Sequence, residues 1–182
     1  MKYLYLLAFL GVFTFFLGGS DMSDFDRTLN RISSKTGKQV QSEFDYLTYM
    51  GVGGSLDKNN VINYESLDFS TKKEIDRDEG VKIVSRVIEE YLKNIYSDEK
   101  MVDYLKEHPF SYKNLEITIY VEDKNGNDVY HPGLWVVYYK KGIIEYITKV
   151  KLAEYTYETV SDVEESFLEA AKRVGVWTPP ES

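Results

Sequence analysis

Leu115-Glu116-Ile117-Thr118-Ile119-Tyr120-Val121-Glu122 (LEITIYVE) decides the fold of this 182-residue chain. Leu115, Ile117, Ile119 and Val121 alternate with Glu116, Thr118, Tyr120 and Glu122, a period of two that sets one row of side chains on a core and the other in water. The stretch therefore reads as a half-buried strand, and it marks where helical spacing gives way to strand spacing. Toward the C-terminus, Lys124-Asn125-Gly126-Asn127 is a tight turn, because Asn-Gly supplies the positive φ that hairpins need. Leu134–Lys140 (LWVVYYK) and Ile143–Val150 (IIEYITKV) read as two strands joined by the Lys140-Lys141-Gly142 turn, with a further extended piece at Glu154–Thr159. Ser161 and Glu164 then form a capping-box pattern, and Val163, Phe167, Leu168, Ala171 and Val174 predict a closing helix that ends at Gly175.

Working back from the strand, the spacing predicts a helix over Arg77–Tyr96. Asp76 and Glu79 cap it, and Val81, Val84, Val87, Ile88, Tyr91, Leu92 and Ile95 make one apolar stripe. A shorter helix is expected over Asp98–Lys106, with Ser97 as N-cap and Pro109 ending it. Val61–Phe69 alternates as a strand at an edge. Phe25, Leu29 and Ile32 predict one short helix, and Val40, Phe44 and Leu47 a second after an interruption at Gly37; Gly51, Gly53 and Gly54 then break the pattern. Helices, then strands linked by short turns, then a closing helix is an α+β order. The expected architecture is N-terminal helices, an antiparallel β-meander of about four to five strands, and a C-terminal helix packed on one face. Short turns exclude parallel crossovers.

Composition narrows the function classes. The chain holds no Cys and two His, which excludes disulfide frameworks, thiolate zinc sites and thiol nucleophiles. No cofactor and no metal site is implied. The net charge of −8, with basic residues dispersed along the sequence, argues against a grip on nucleic acid or on an anionic membrane surface. At the N-terminus Lys2 precedes an uncharged run, Tyr3–Leu17, followed by Gly18, Gly19 and Ser20. This reads as an export signal over residues 1–20. An uncleaved inner-membrane anchor is the alternative. A lipobox is excluded because Ser20 stands where the lipid-bearing cysteine would be. Residues 21–176 are then a single domain and 177–182 a loose tail.

The search for chemistry begins with His108 and His131, the residues that titrate near neutrality. Neither lies in a nucleophile motif: His108 ends the short helix and His131 sits in a turn before Pro132. Asp123–Asp128 imitates the opening of a calcium loop but has Asp128 where glycine is required and Leu134 where a bidentate glutamate is required, so it reads as a hairpin tip. Glu74, Asp76, Asp78 and Glu79 read as helix-capping acids. The unusual number is aromatic: 16 Tyr, 9 Phe and 2 Trp. Leu134–Tyr139 is apolar on both faces, so it is either central and covered twice or kept dry by a partner. Tyr120, Trp135, Tyr138, Tyr139, Tyr146 and His131 are the candidate binding residues, with Tyr120, Tyr138 and Tyr146, and also Tyr155 and Tyr157, expected on one sheet surface.

The run Tyr104–Ile117 (YLKEHPFSYKNLEI), followed by the Asn125-Gly126 turn, resembles a group of small exported proteins of Gram-negative bacteria with no assigned activity. The resemblance implies a bacterial envelope setting, periplasmic or secreted, and carries no catalytic residues. The expected function is a noncatalytic binding or accessory domain that meets a protein, peptide or glycan through an aromatic sheet face or edge. The alternatives are a small envelope hydrolase using a carboxylate or histidine, with a histidine within about 4 Å of an acid, and a self-associating structural protein.

Overall fold

The computed structural model describes residues 23–59, 61–153 and 156–179. The leader expected over residues 1–20 lies outside them. Among the described residues the chain forms α1 (Asp24–Glu43), β1 (Leu47–Leu56), β2 (Ile62–Thr71), α2 (Arg77–Tyr96), α3 (Val102–Glu107), a 3-10 turn at Tyr112–Asn114, β3 (Leu115–Val121), β4 (Val136–Lys140), β5 (Ile143–Ala153), β6 (Thr156–Ser166) and α4 (Phe167–Val174). The fold is α+β, as the order of elements implies.

The six strands lie in sequence order across one sheet. Every neighbouring pair is antiparallel except β2 and β3, which run parallel from Glu65 opposite Leu115 to Thr71 opposite Val121. Short turns do exclude crossovers from β3 onward. The exception comes from the long stretch between β2 and β3, where α2 and α3 supply the return path that parallel strands need. The expected four or five strands become six with β1, whose three glycines hide its strand character in the sequence, and β6 runs on past the expected extended piece to Ser166.

Alternation on β3 works as its sequence implies: Leu115, Ile117, Ile119 and Val121 are all buried, together with Leu67 and Phe69 of β2 and Val137 and Tyr139 of β4. These side chains meet α2, whose Val81, Val84, Val87, Ile88, Tyr91 and Ile95 are fully buried. Asp76 caps that helix by accepting the Glu79 amide at 2.8 Å. Gly80 lets the first turn approach the sheet, since a Cβ there would sit 3.1 Å from a Val137 methyl. Helix α1 packs beside α2 and over β1, while α4 packs on the other flank against α2 and β6. Phe167 of α4 meets the Tyr139 ring edge-on at 5.6 Å. All three long helical faces thus cover one side of the sheet.

Several local expectations are corrected. Residues 24–43 form one helix and not two, because Gly37 is a packing position: the Tyr49 ring occupies the space a Cβ would need. Leu47 begins β1, and Gly51, Gly53 and Gly54 lie inside that strand. Side chains of β2 fill the space above two of these glycines, with Ser66 Oγ at 2.7 Å and Glu65 Oε1 at 2.6 Å from the ideal Cβ positions of Gly53 and Gly54. The edge is therefore β1, and β2 is interior. Helix α3 starts at Val102 because Asp98 closes a turn, its carbonyl accepting the Met101 amide at 2.9 Å. Residues 161–166 extend β6 and do not start a helix; pairing with β5 outweighs the capping-box pattern. The C-terminal stop holds, with Gly175 at φ 75°. Trp177, read from the sequence as the start of the tail, packs on the core, and its carbonyl accepts the Ser85 hydroxyl at 2.6 Å.

Helix propensity alone makes Gly37→Ala stabilising by about 1 kcal/mol. Contact with the Tyr49 ring reverses the sign, and we expect a net loss of about 1–2 kcal/mol, read as a lower urea midpoint at unchanged slope.

Candidate functional site on the open face of the sheet

The side of the sheet away from α1, α2 and α4 carries no described helix. Its composition follows from strand alternation: whatever is not in the core row of a strand points here. The pairing registers stack these residues in rows. One row runs Asp68, Thr118, Tyr138, Glu145; a second runs Ser66, Glu116, Lys140, Ile143; a third runs Ser70, Tyr120, Val136, Ile147. The face combines acids with tyrosines. Glu116 accepts the Tyr138 hydroxyl at 3.2 Å and pairs with Lys140 at 2.7 Å. Lys140 in turn lies 5.9 Å from the centre of the Tyr64 ring.

Asp68 differs from Glu116. It is partly buried and forms no ion pair among the described residues. Burial pushes its carboxyl above the usual range, a hydrogen bond with Thr118 pulls it back, and the nearby Glu116 charge pushes it up again. Tyr120, exposed at 38%, stands beside it and feels its charge, its phenol raised by burial first and by Asp68 second. A partly desolvated carboxylate flanked by an accessible aromatic ring is suited to an ammonium or guanidinium group. Neither Asp68 nor Glu116 was singled out in the sequence, although the alternation of VINYESLDF places Asp68 on the wet row.

The structure divides the sequence candidates. Tyr120 and Tyr138 are on the open face. Tyr139 and Tyr146 are not: both are fully buried on the helix side, where Tyr139 donates to the Tyr112 carbonyl at 2.7 Å and Tyr146 to Glu165 at 2.6 Å. Tyr146 faces inward because it pairs with Val137, so it does not share a surface with Tyr138. Burial raises both phenols, and the Glu165 contact raises Tyr146 further. Trp135 and Tyr157 sandwich the Lys149 ammonium, at 4.3 and 3.8 Å from the ring centres, and Lys149 also pairs with Asp128. Tyr155 lies outside the described residues.

Exposed His131 is held by its backbone, its amide donating to the Lys149 carbonyl at 2.9 Å. His108 caps α3 and lines a cleft of about 250 Å³ with Val61, Ile62, Tyr104, Glu107 and Phe110. Among the described residues no ion pair joins either histidine to a carboxylate, and no group of three His, Asp or Glu side chains is placed to hold a metal ion. The acids at the start of α2 are taken up structurally: Asp76 caps, Glu79 accepts from Tyr46, and Asp78 pairs with Arg173. Asp123 receives the amides of Asn125 and Asn127 at 2.7 and 2.9 Å, so its carboxylate holds the turn.

A further carboxylate without a signal in the sequence lies under the helices. Glu65 belongs to the core row of β2, is 5% exposed, and has Ser33 Oγ at 3.3 Å as its hydrogen-bonding partner. Burial pushes its pKa up to about 7, against a partial opposing effect of Ser33. Its neighbours Tyr49 and Tyr91 feel its charge.

No described helix is long and apolar enough to cross a membrane. Comparison of the chain with known protein families, curated proteins and solved structures gives no match.

The Glu65 shift sets a pH dependence. Its pKa is higher in the folded protein than in the unfolded chain, so the fold holds the extra proton, and stability falls as pH rises from about 4.5 to about 7 and levels off above. The size is on the order of 3 kcal/mol. Glu65→Gln removes this slope. At pH 8 its unfolding free energy from urea titration is expected above that of the parent protein, while at pH 4.5 the two agree to within about 1 kcal/mol.

Proposed function

We propose that this protein is a noncatalytic binding or accessory domain of the bacterial envelope, and that it meets its partner through the open sheet face. The observation that carries the reading is Asp68: a partly buried carboxylate that meets the Thr118 hydroxyl but no cation among the described residues, beside exposed Tyr120, on the one side of the sheet that no described helix covers. The chemistry of that surface selects a protein or peptide that presents a cationic side chain between apolar ones. Tyr64, Tyr120 and Tyr138 supply rigid plates with polar tips, a surface that orders little on binding. Glu116 is already matched by Lys140, whereas Asp68, the partly desolvated acid beside Tyr120, is open to an incoming charge. The export part of the reading rests on Lys2, the uncharged Tyr3–Leu17 run and the small residues after it, and on the likeness of Tyr104–Ile117 to small exported proteins without assigned activity. Binding is favoured over hydrolysis because no described carboxylate reaches ion-pair distance of either histidine.

The test is a titration with acetyl-Arg-Tyr-Arg-Tyr-amide followed by amide chemical shifts. Shifts should concentrate in residues 66–70, 116–120 and 136–140, and Asp68→Asn should weaken binding about fivefold or more, in line with loss of one charge-assisted contact. Tyr120→Ala should weaken it comparably. Shifts that cluster on the helix side, or an Asp68→Asn protein that binds as well as the parent, would overturn the assignment.

A further inference from the structure

Helix α1 carries the chain's most one-sided charge. Residues 27–42 (RTLNRISSKTGKQVQS) hold Arg27, Arg31, Lys35 and Lys38 and no acid, inside a chain whose net charge is −8. In sequence these cations are spread out. On a helix of 3.6 residues per turn they fall on one line, and all four are exposed, while Leu29, Ile32, Thr36 and Val40 on the opposite side are buried. Arg27 and Arg31 are tied at the N-terminal end, to Asp24 and Asp98. Lys35 and Lys38 form no ion pair among the described residues. Arg31, Lys35 and Lys38, together with Ser34, Gln39 and Ser42, edge a shallow concavity along the helix. Asp24 and Asp26 at one end of the helix and Glu43 at the other bound the basic stretch without interrupting it.

We infer that this basic face of α1 docks on the anionic phospholipid headgroups of a bilayer, in the form of the protein that keeps residues 1–20. Two observations choose that occupant. The charge is complementary to an anionic surface and opposite in sign to the chain's net charge of −8. The uncharged run Tyr3–Leu17 ends six residues before Ser23. At no more than about 3.5 Å per residue, the intervening chain holds the start of α1 within roughly 20 Å of a bilayer that receives the run. The apolar side of α1 is committed to β1 and α2, so the helix cannot sink into the acyl region as a free amphipathic helix does. Contact is therefore electrostatic, at headgroup level, and sensitive to salt. This assignment is independent of the open sheet face. It also orients the molecule, since α1 covers the opposite side of the sheet and the face with Asp68 would point away from the bilayer.

The chain has no cysteine, so a single Ser42→Cys label on the full-length protein reports this helix alone. The labelled protein is placed in vesicles of phosphatidylcholine, and of phosphatidylcholine with one quarter phosphatidylglycerol, and quenched with neutral acrylamide. The expected result is at least threefold protection in the anionic vesicles at 0.1 M salt. Protection should disappear at 0.5 M salt and in Lys35→Gln/Lys38→Gln, because each basic residue near an anionic surface contributes roughly a fivefold bias. Both lysines are exposed, so the fold survives the change, and an unaltered urea midpoint checks it. Equal quenching in the two vesicles overturns the inference, as does protection that survives the double substitution. Equal protection by single-stranded DNA added to phosphatidylcholine vesicles would also overturn it, in favour of a soluble polyanion.

Discussion

The parallel pairing of β2 with β3 constrains everything else in this fold. Two parallel neighbours cannot be joined by a turn, so the chain between Thr71 and Leu115 must cross over one face of the sheet, and α2 is the helix that does so. With Val81, Val84, Val87, Ile88, Tyr91 and Ile95 fully buried, α2 becomes the centre of the core. Helices α1 and α4 gain most by packing on its two flanks, on the same side of the sheet. Asymmetry follows. One face is a helical layer over an apolar floor, and the other is a polar surface of tyrosines and acids with no helix of its own.

That division gives identical residue types different roles. Tyr139 and Tyr138 are neighbours in sequence, but Tyr139 is locked between the Tyr112 carbonyl and Phe167, while Tyr138 reaches Glu116 on the open side. The acids divide likewise. Glu65 and Asp68 lie on one strand, three residues apart, on opposite faces. Beneath the helices Glu65 meets low dielectric with one hydroxyl partner, so its neutral form is favoured. Asp68 is only partly desolvated and accepts a hydrogen bond from Thr118. A buried carboxylate of this kind is a cost to stability at neutral pH; Gly54 shows how closely the sheet is built around it, since a side chain there would strike the Glu65 carboxylate.

Electrostatics also sets helix α1 apart from the rest of the surface. Glu79, Glu90 and Glu116 are each matched by lysine or arginine, whereas the line from Arg27 to Lys38 has no acids within it. A chain that is acidic overall can still present a basic surface where one helix collects its cations. Net charge alone therefore says little about which surfaces a folded protein can approach.

Sequence by itself determined the elements whose signals are local. The Arg77–Tyr96 helix was legible to its last residue because its cap and its stripe agree, β3 because its period of two has no helical reading, and β4 and β5 because a short glycine turn joins two β-branched and aromatic runs. Tertiary contacts decided the rest. Gly37 and the Gly51–Gly54 run look like breaks until Tyr49, Ser66 and Glu65 are seen to occupy the space the glycines leave. Ser161 and Glu164 look like a helix cap until β5 pairs with them. Which tyrosines face outward, that Asp68 meets Thr118 and no described cation, and that Glu65 is buried depend on which strands are neighbours and which face the helices cover. Those are facts of long-range packing, and no window of sequence contains them.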